Sequence, residues 1–305
     1  MEYKKPNVVA EIGCNHKGDF DIAKQMVMVA AVFCKANIVK FQKRYPKELL
    51  TNKQYNDPHP NQLHAYGKTY GEHREYLEFS IDQHRELQSY CNDYGIEYSS
   101  SVWDLRSAKE VCSLSPTTIK VPSACNTNDV LLNYLCENFK GEIHVSLGMT
   151  KRSEEERLIN LLVKNGRIGD VVLYSCTSGY PVPFESICLL EIDRLKSDYG
   201  SIVKSIGYSG HHLGIAIDIS AYTLGAAWIE RHFTLDRTWK GTDHAASLEP
   251  DGLRRLIRDL LATHNALSRK AEEILPIEIA QRQKLKIQNV SQRMDLDYHK
   301  RDQGS

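Results

Sequence analysis

Eight short apolar runs, each followed by a stretch of helical periodicity, restrict the fold of this chain more than any other feature. The strand-like segments are 7–13, 36–41, 96–102, 117–121, 142–147, 170–176, 201–208 and 226–233. Helical spacing lies near 20–35, 82–94, 104–113, 128–139, 152–165, 184–198, 212–224 and 249–268. Short apolar runs that alternate with such helices read as strands of a parallel sheet. Eight such units predict the α/β class, as a closed (β/α)8 TIM barrel. A doubly wound open sheet would also alternate, but no G-x-G-x-x-G follows the first run, and eight regular units favour closure. The 305 residues are enough for one barrel, which takes about 250. Residues 1–270 are read as the catalytic domain, and 271–305 as a short strap with a frayed end.

In a parallel barrel, ligands and catalytic groups gather at the carboxyl ends of the strands. Two histidines, His211 and His232, close the seventh and eighth runs, and Asp243 follows downstream. Imidazoles on neighbouring strands can converge on one ion. With oxygen ligands they suit Mn²⁺ or Mg²⁺, with positions left open for water and substrate. No four-ligand set for a structural zinc is evident. The alternative is that these histidines cap strands or sit in a polar loop. The other strand ends supply Glu11, Lys40, Gln42, Ser100, Ser101, Lys120, Ser123, Ser146, Thr177, Ser178 and Tyr180. Inward lysines are costly to bury without an anion. Lys40 and Lys120 with the serine hydroxyls therefore suggest a cradle for a phosphate, a carboxylate or both. Outward snorkelling, or pairing with Glu11, is the alternative.

The connection 42–80 is a long loop for a compact domain and is read as functional, hanging over the mouth; a solvated decorative loop is the alternative. Its basic residues Arg44, Lys68 and Arg74, with Lys240, could hold a second anion. Lys+Arg and Asp+Glu both number 39, which argues against a nucleic-acid or anionic-membrane surface. No apolar run approaches the ~20 residues of a membrane span. The eight cysteines include no C-x-x-C pair and suit a reducing cytoplasm.

Six runs carry a family resemblance: A-E-I-G-C-N-H-K-G-D (10–19), V-K-F-Q-K-R (39–44), G-K-T-Y-G-E-H-R-E-Y-L-E-F-S (67–80), C-T-S-G-Y-P (176–181), G-Y-S-G-H-H-L-G-I-A-I (207–217) and E-R-H-F-T-L-D-R-T-W-K-G-T-D-H-A-A-S-L-E-P (230–250). Over roughly residues 7–285 the chain resembles the sialic acid synthase (NeuB) family, and within it the animal-type branch that makes a 9-phosphate. The resemblance implies a transferase that condenses phosphoenolpyruvate with an open-chain aldose or aldose 6-phosphate. N-acetylmannosamine 6-phosphate or a mannose-type sugar is the expected acceptor, and a nonulosonic acid plus phosphate the product. Carried over by position, His211 and His232 hold the metal. Lys40, Ser101, Lys120, Ser123 and Ser146 hold phosphoenolpyruvate. Glu11, Tyr180 and Asp243 take catalytic places, and Gln42, Arg44, Arg74, Cys125, Ser178 and Lys240 face the sugar. Barrels of this kind often pair, so a homodimer is compatible with the reading.

The chain departs from the family pattern in places that touch the acceptor. It ends where relatives usually carry a small antifreeze-like domain. The run after the fourth strand reads K-V-P-S-A-C-N-T-N, so Cys125 stands where the family has a carboxylate. A neutral thiol cannot accept a hydroxyl hydrogen bond as a carboxylate does, which points to a changed acceptor. Ser178 stands where bacterial relatives often have Asn, as it does in the animal-type branch. The alternatives are a synthase of another 3-deoxy-ulosonic acid, or a catalytically silent sugar-phosphate-binding relative.

Overall fold

The computed structural model describes residues 3–287. Eight strands close a parallel barrel in sequence order: β1 (Asn7–Gly13), β2 (Ile38–Lys43), β3 (Glu97–Val102), β4 (Thr118–Val121), β5 (Glu142–Ser146), β6 (Val171–Cys176), β7 (Ser205–Gly210) and β8 (Trp228–His232). The chain is therefore a (β/α)8 TIM barrel. In chain order the helices are α1 (Phe20–Met28), α2 (Pro46–Leu49), α3 (Asn52–Asn56), α4 (Tyr70–Tyr76), α5 (Ile81–Asp93), α6 (Leu105–Ser113), α7 (Asp129–Asn138), α8 (Arg152–Lys164), α9 (Glu191–Tyr199), α10 (Ala216–Leu224), α11 (Pro250–Ala266) and α12 (Pro276–Leu285).

Alternate residues of a strand face opposite sides, and this period assigns the interior. Val8, Ala10, Ile12, Val39, Phe41, Ile119, Val121, Ile143 and Val145 occupy one face and are buried. The other face carries Glu11, Lys40, Ser101, Lys120, Ser146, Ser209, Glu230 and His232, also buried. Both faces of the strands are buried, and apolar residues alternate with the polar residues of the inner face. Side-chain caps start the helices: Asp19 accepts from the Asp21 and Ile22 amides at 2.9 and 3.1 Å, and Asp104 accepts from Ser107 at 2.7 Å. These bonds satisfy amides that the first turn leaves without partners.

Three expectations change. The seventh strand starts at Ser205, because Val203 still donates to the Tyr199 carbonyl at 3.0 Å and so prolongs the end of α9. The helix expected at 184–198 forms only from Glu191, after Pro183 and the left-handed Cys188 (φ 55°). The long connection is itself folded, into α2, α3 and α4 with a 3₁₀ turn at Gln62–His64. His59, Tyr66, Tyr70 and His73 pack together inside it, with the His59 and His73 rings 4.3 Å apart. It is fastened to the β8–α11 loop by Tyr66, which donates to the Lys240 carbonyl, and by Gly241, which donates to His64 Nδ1 at 3.1 Å.

The chain divides into two compact units, Met1–His264 and Asn265–Ser305. The second contains α12 and a Lys270–Glu278 ion pair at 2.9 Å. The frayed end expected at the C-terminus lies outside the described residues. Among the described residues no helix is long and apolar enough to cross a membrane, and the cysteines are free thiols.

Candidate active site

A cavity of about 330 Å³ opens at the carboxyl ends of the strands. Glu11, Lys40, Gln42, Ser101, Lys120, Ser123, Ser146, Ser178, Tyr180, His211 and His232 all line it, so most residues expected at the site meet in one place. Strand register explains the convergence: Glu11 pairs with Lys40 on one side and His232 on the other, and Ser101 pairs with Lys120.

Glu230 is the organising residue of the floor, and the sequence reading passed over it. Its carboxylate lies 3.1 Å from Lys120 Nζ and 3.7 Å from Lys40 Nζ, and Ser209 Oγ donates to it at 3.1 Å. Lys40 also pairs with Glu11 at 2.6 Å and donates to Ser101 Oγ at 2.8 Å. The alternative that Lys40 pairs with Glu11 is thus realised, yet both lysines still point into the cavity. Burial works against the Lys40 charge, but Glu11 and Glu230 outweigh it and hold its pKa above the usual value. Burial and the nearby Lys40 instead leave Lys120 below the usual lysine range, despite Glu230. Glu230 is itself held far below the carboxylate range, because Lys120 and Lys40 overcome the cost of burial. Glu230 and Ser209 were within reach of the strand period: each lies two residues before a singled-out histidine.

The serine side of the cradle depends on a close approach. Gly148 donates its amide to Ser123 Oγ at 3.0 Å. A Cβ there would stand 2.5 Å from Ser178 Oγ and 2.8 Å from Ser123 Oγ. Gly148→Ala should therefore displace both hydroxyls and, through Ser123, weaken anion binding at the cradle roughly tenfold, in a chain whose melting curve stays close to the parent. An unchanged anion affinity would remove Ser123 from the cradle.

His211 and His232 face each other with ring centroids 5.4 Å apart, and Tyr180 lies 4.3 Å from the His211 ring. His211 Nδ1 contacts the Thr177 carbonyl at 2.9 Å, which makes it the protonated nitrogen and leaves the lone pair on Nε2. Burial, then the neighbouring His232, push His211 down to about 4, so its ring is neutral near pH 7. His232 Nδ1 is buried without a hydrogen-bond partner. Two imidazoles with available lone pairs fit a divalent ion that takes its other ligands from oxygen. Among the described residues no group of three or more His, Cys, Asp or Glu side chains is placed to share an ion, so a closed structural site is not formed.

A second cavity of about 190 Å³ adjoins the first and shares Gln42, Trp103, Tyr180 and His232 with it. It brings in Arg44, Arg74 and Asp243. Burial opposes the Asp243 charge, but His232, the Thr242 hydroxyl and Arg44 keep its pKa below the usual value. Arg44 is engaged by Glu78, at 2.5 Å from Nε, and donates to Cys14 Sγ at 2.8 Å. Arg74 is bonded to the Tyr70 hydroxyl, and both guanidiniums lie about 5.5 Å from the Trp103 ring. Lys68 and Lys240 line none of these spaces; Lys240 is exposed, 4.9 Å over the Tyr66 ring. Cys125 lines a side pocket of about 200 Å³ with Leu49, Leu50, Ala124 and the two arginines, and its thiol donates to the Trp103 carbonyl at 3.2 Å. No carboxylate lines that pocket. Trp103, absent from the sequence-based set, walls all three spaces.

The NeuB family model matches residues 26–272. The chain is 37% identical over 278 residues to N-acetylneuraminate-9-phosphate synthase of Homo sapiens, across 91% of this chain and 76% of that protein. It is 34% identical to N,N'-diacetyllegionaminic acid synthase of Campylobacter jejuni, across 87% of this chain and 78% of that one. Among solved structures, an N-acetylneuraminic acid synthetase from Leptospira borgpetersenii in complex with citrate superposes with a TM-score of 0.77 at 26% identity, covering 93% of this chain and 94% of that one.

Proposed function

The chain belongs to the NeuB family, and from that premise we propose that it condenses phosphoenolpyruvate with the open-chain aldehyde of an aldose or aldose 6-phosphate. The products are a 3-deoxy-2-ulosonic (nonulosonic) acid and inorganic phosphate. The observation that carries this reading is the Glu230 bridge between Lys40 and Lys120, set in the same cavity as His211 and His232. The names of similar proteins bring sialic and legionaminic acids into the same product class. The acceptor is N-acetylmannosamine 6-phosphate or a mannose-type sugar.

Each ammonium has three N–H donors. Lys120 uses one on Glu230, and Lys40 spends its own on Glu11 and Ser101. The remaining donors, with Ser123 and Ser146, suit the carboxylate and phosphate oxygens of phosphoenolpyruvate. Asp243 and Tyr180 border the adjoining space, where the aldehyde would lie. C3 of phosphoenolpyruvate attacks the aldehyde carbon; a C–C bond forms and the aldehyde oxygen takes up a proton. Water adds to C2, where positive charge develops, and yields its proton to Glu11. The C2 hydroxyl becomes the C2=O as the C2–O bond to phosphate breaks; phosphate leaves with the bridging oxygen and the hydroxyl proton, and the proton passed to Glu11 balances the one taken up at the aldehyde oxygen. His211 and His232 would hold a divalent ion, Mn²⁺ or Mg²⁺, which supplies Lewis-acid polarisation of an adjacent oxygen.

The test is phosphate release from phosphoenolpyruvate with Mn²⁺ across aldoses, each free and 6-phosphorylated, with and without an N-acetyl group. Release that requires both sugar and metal is the expected result, and the preferred sugar identifies the acceptor. Sugar-independent release, or silence across the panel from folded protein, would overturn the synthase reading.

A further inference from the structure

Beneath the two lysines, the barrel is filled by residues that no step of the reaction uses. Tyr174 on β6 is fully buried, with its ring centroid 3.3 Å from Lys120 Nζ. Room for the ring comes from Gly207 on the adjacent strand, where a Cβ would stand 2.7 Å from Tyr174 Cδ1. The phenol contacts His144 Nδ1 at 2.9 Å, and His144 Nε2 faces the Glu142 carboxylate at 3.7 Å. Burial and the charge of Glu230 keep the phenol protonated, so its hydroxyl donates and Nδ1 accepts. The proton on His144 then sits on Nε2, toward Glu142. Trp228 closes the set, edge-on to His144 at 4.6 Å.

This stack does something a purely apolar floor would not. A buried ammonium with one carboxylate on one side is drawn toward that carboxylate and away from an incoming anion. An aromatic face on the other side offers the ammonium a second electrostatic partner that takes up none of its N–H donors. We propose that Tyr174, oriented by His144, is a positioning residue that holds the Lys120 ammonium at the cradle with donors left free for substrate oxygens. The role in substrate binding rests on the synthase reading; the platform itself does not. The titratable and charged groups facing Lys120 are Glu230 on β8, Lys40 on β2, His144 on β5 and Cys176 on β6. Among the described residues, Tyr174 is the aromatic ring that presents its face to Lys120 at this distance.

The experiment reads Lys120 directly, by the pH dependence of its side-chain carbon resonance in lysine-labelled full-length protein, with Lys120→Met for assignment. In the parent the midpoint is expected at about 8. An ammonium that loses its π partner gives up its proton more easily, so Tyr174→Leu should lower the midpoint by about one pH unit, tenfold in the protonation constant. Because Tyr174→Leu leaves a void, a shape-conserving pair accompanies it: Tyr174→Phe, and the ring-trifluorinated phenylalanine at the same position. Fluorination drains the ring face with little change in volume, so the midpoint should fall from the first to the second. Equal midpoints in that pair would overturn the platform. KM for phosphoenolpyruvate should rise about tenfold in the fluorinated protein, and the basic limb of kcat/KM should move with the midpoint. A shifted midpoint in a protein that binds no phosphoenolpyruvate would leave the platform standing and reject the synthase reading instead.

Discussion

Lys120→Met is expected to lower kcat/KM for phosphoenolpyruvate by about a thousandfold, close to 4 kcal/mol at 1.36 kcal/mol per decade, and to destabilise the fold as well. The two losses have different origins. Stability falls because Glu230, buried with its carboxylate 3.1 Å from the missing ammonium, keeps the Ser209 hydroxyl at 3.1 Å but no cation closer than Lys40 at 3.7 Å. Breaking a buried pair on one side costs about 3–5 kcal/mol, and the remaining lysine places this case near the lower end. Activity falls because the cradle loses donors to the anion. Adding Glu230→Gln to Lys120→Met removes the orphaned charge and should restore most of the melting temperature while leaving phosphate release at the single variant's level. Thermal unfolding and steady-state kinetics on the four proteins of this cycle separate the effects. If the double variant regained activity along with stability, Lys120 would be a structural partner of Glu230 and the cradle would have to be placed elsewhere.

The same three residues show how much of the site was legible in the sequence. Lys40 and Lys120 were recognisable because a lysine inside an apolar run has to be explained. Glu230 was not recognised, because its run was read toward the histidine that ends it; counting back by two from His232 puts it on the inner face. The barrel was legible for a related reason: short strand-like runs alternate with helical patterns in eight units, and β1 (Asn7–Gly13) matches its expected bounds. β7 was placed too early because Ser201–Val203 prolong the end of α9, and local composition does not distinguish a helix end from a strand start. Lys68 and Lys240 show the limit. Both looked like anion ligands by charge, but position in a folded loop depends on long-range contacts such as His64 with Gly241, which no local pattern encodes. Trp103 was missed because an aromatic residue just past a strand reads as core, whereas here it partitions three cavities.

Removing divalent metal by chelation should reduce phosphate release by about a thousandfold or more, with recovery on adding Mn²⁺. His211→Ala and His232→Ala should each produce the same loss without recovery at Mn²⁺ concentrations that restore the parent. Two imidazoles 5.4 Å apart cannot both be satisfied by the protein: His211 commits Nδ1 to the Thr177 carbonyl, while His232 Nδ1 is buried and unpartnered. An unpaired buried nitrogen costs about 1–3 kcal/mol, which a bound ion or its water offsets. Metal should therefore stabilise the fold, by about 2.7 kcal/mol at a hundredfold excess over Kd, and thermal unfolding with and without Mn²⁺ measures this independently of turnover. Neither alanine variant should show the full shift, because a single imidazole holds an ion weakly where, among the described residues, no group of three or more His, Cys, Asp or Glu side chains is placed to share it. Loss of turnover in the variants, with no metal-dependent shift in the parent and no effect of chelator, would mean that the pair works by proton transfer or hydrogen bonding. The same outcome would return the polarisation of the aldehyde to Asp243 and Tyr180, the groups that border the adjoining cavity.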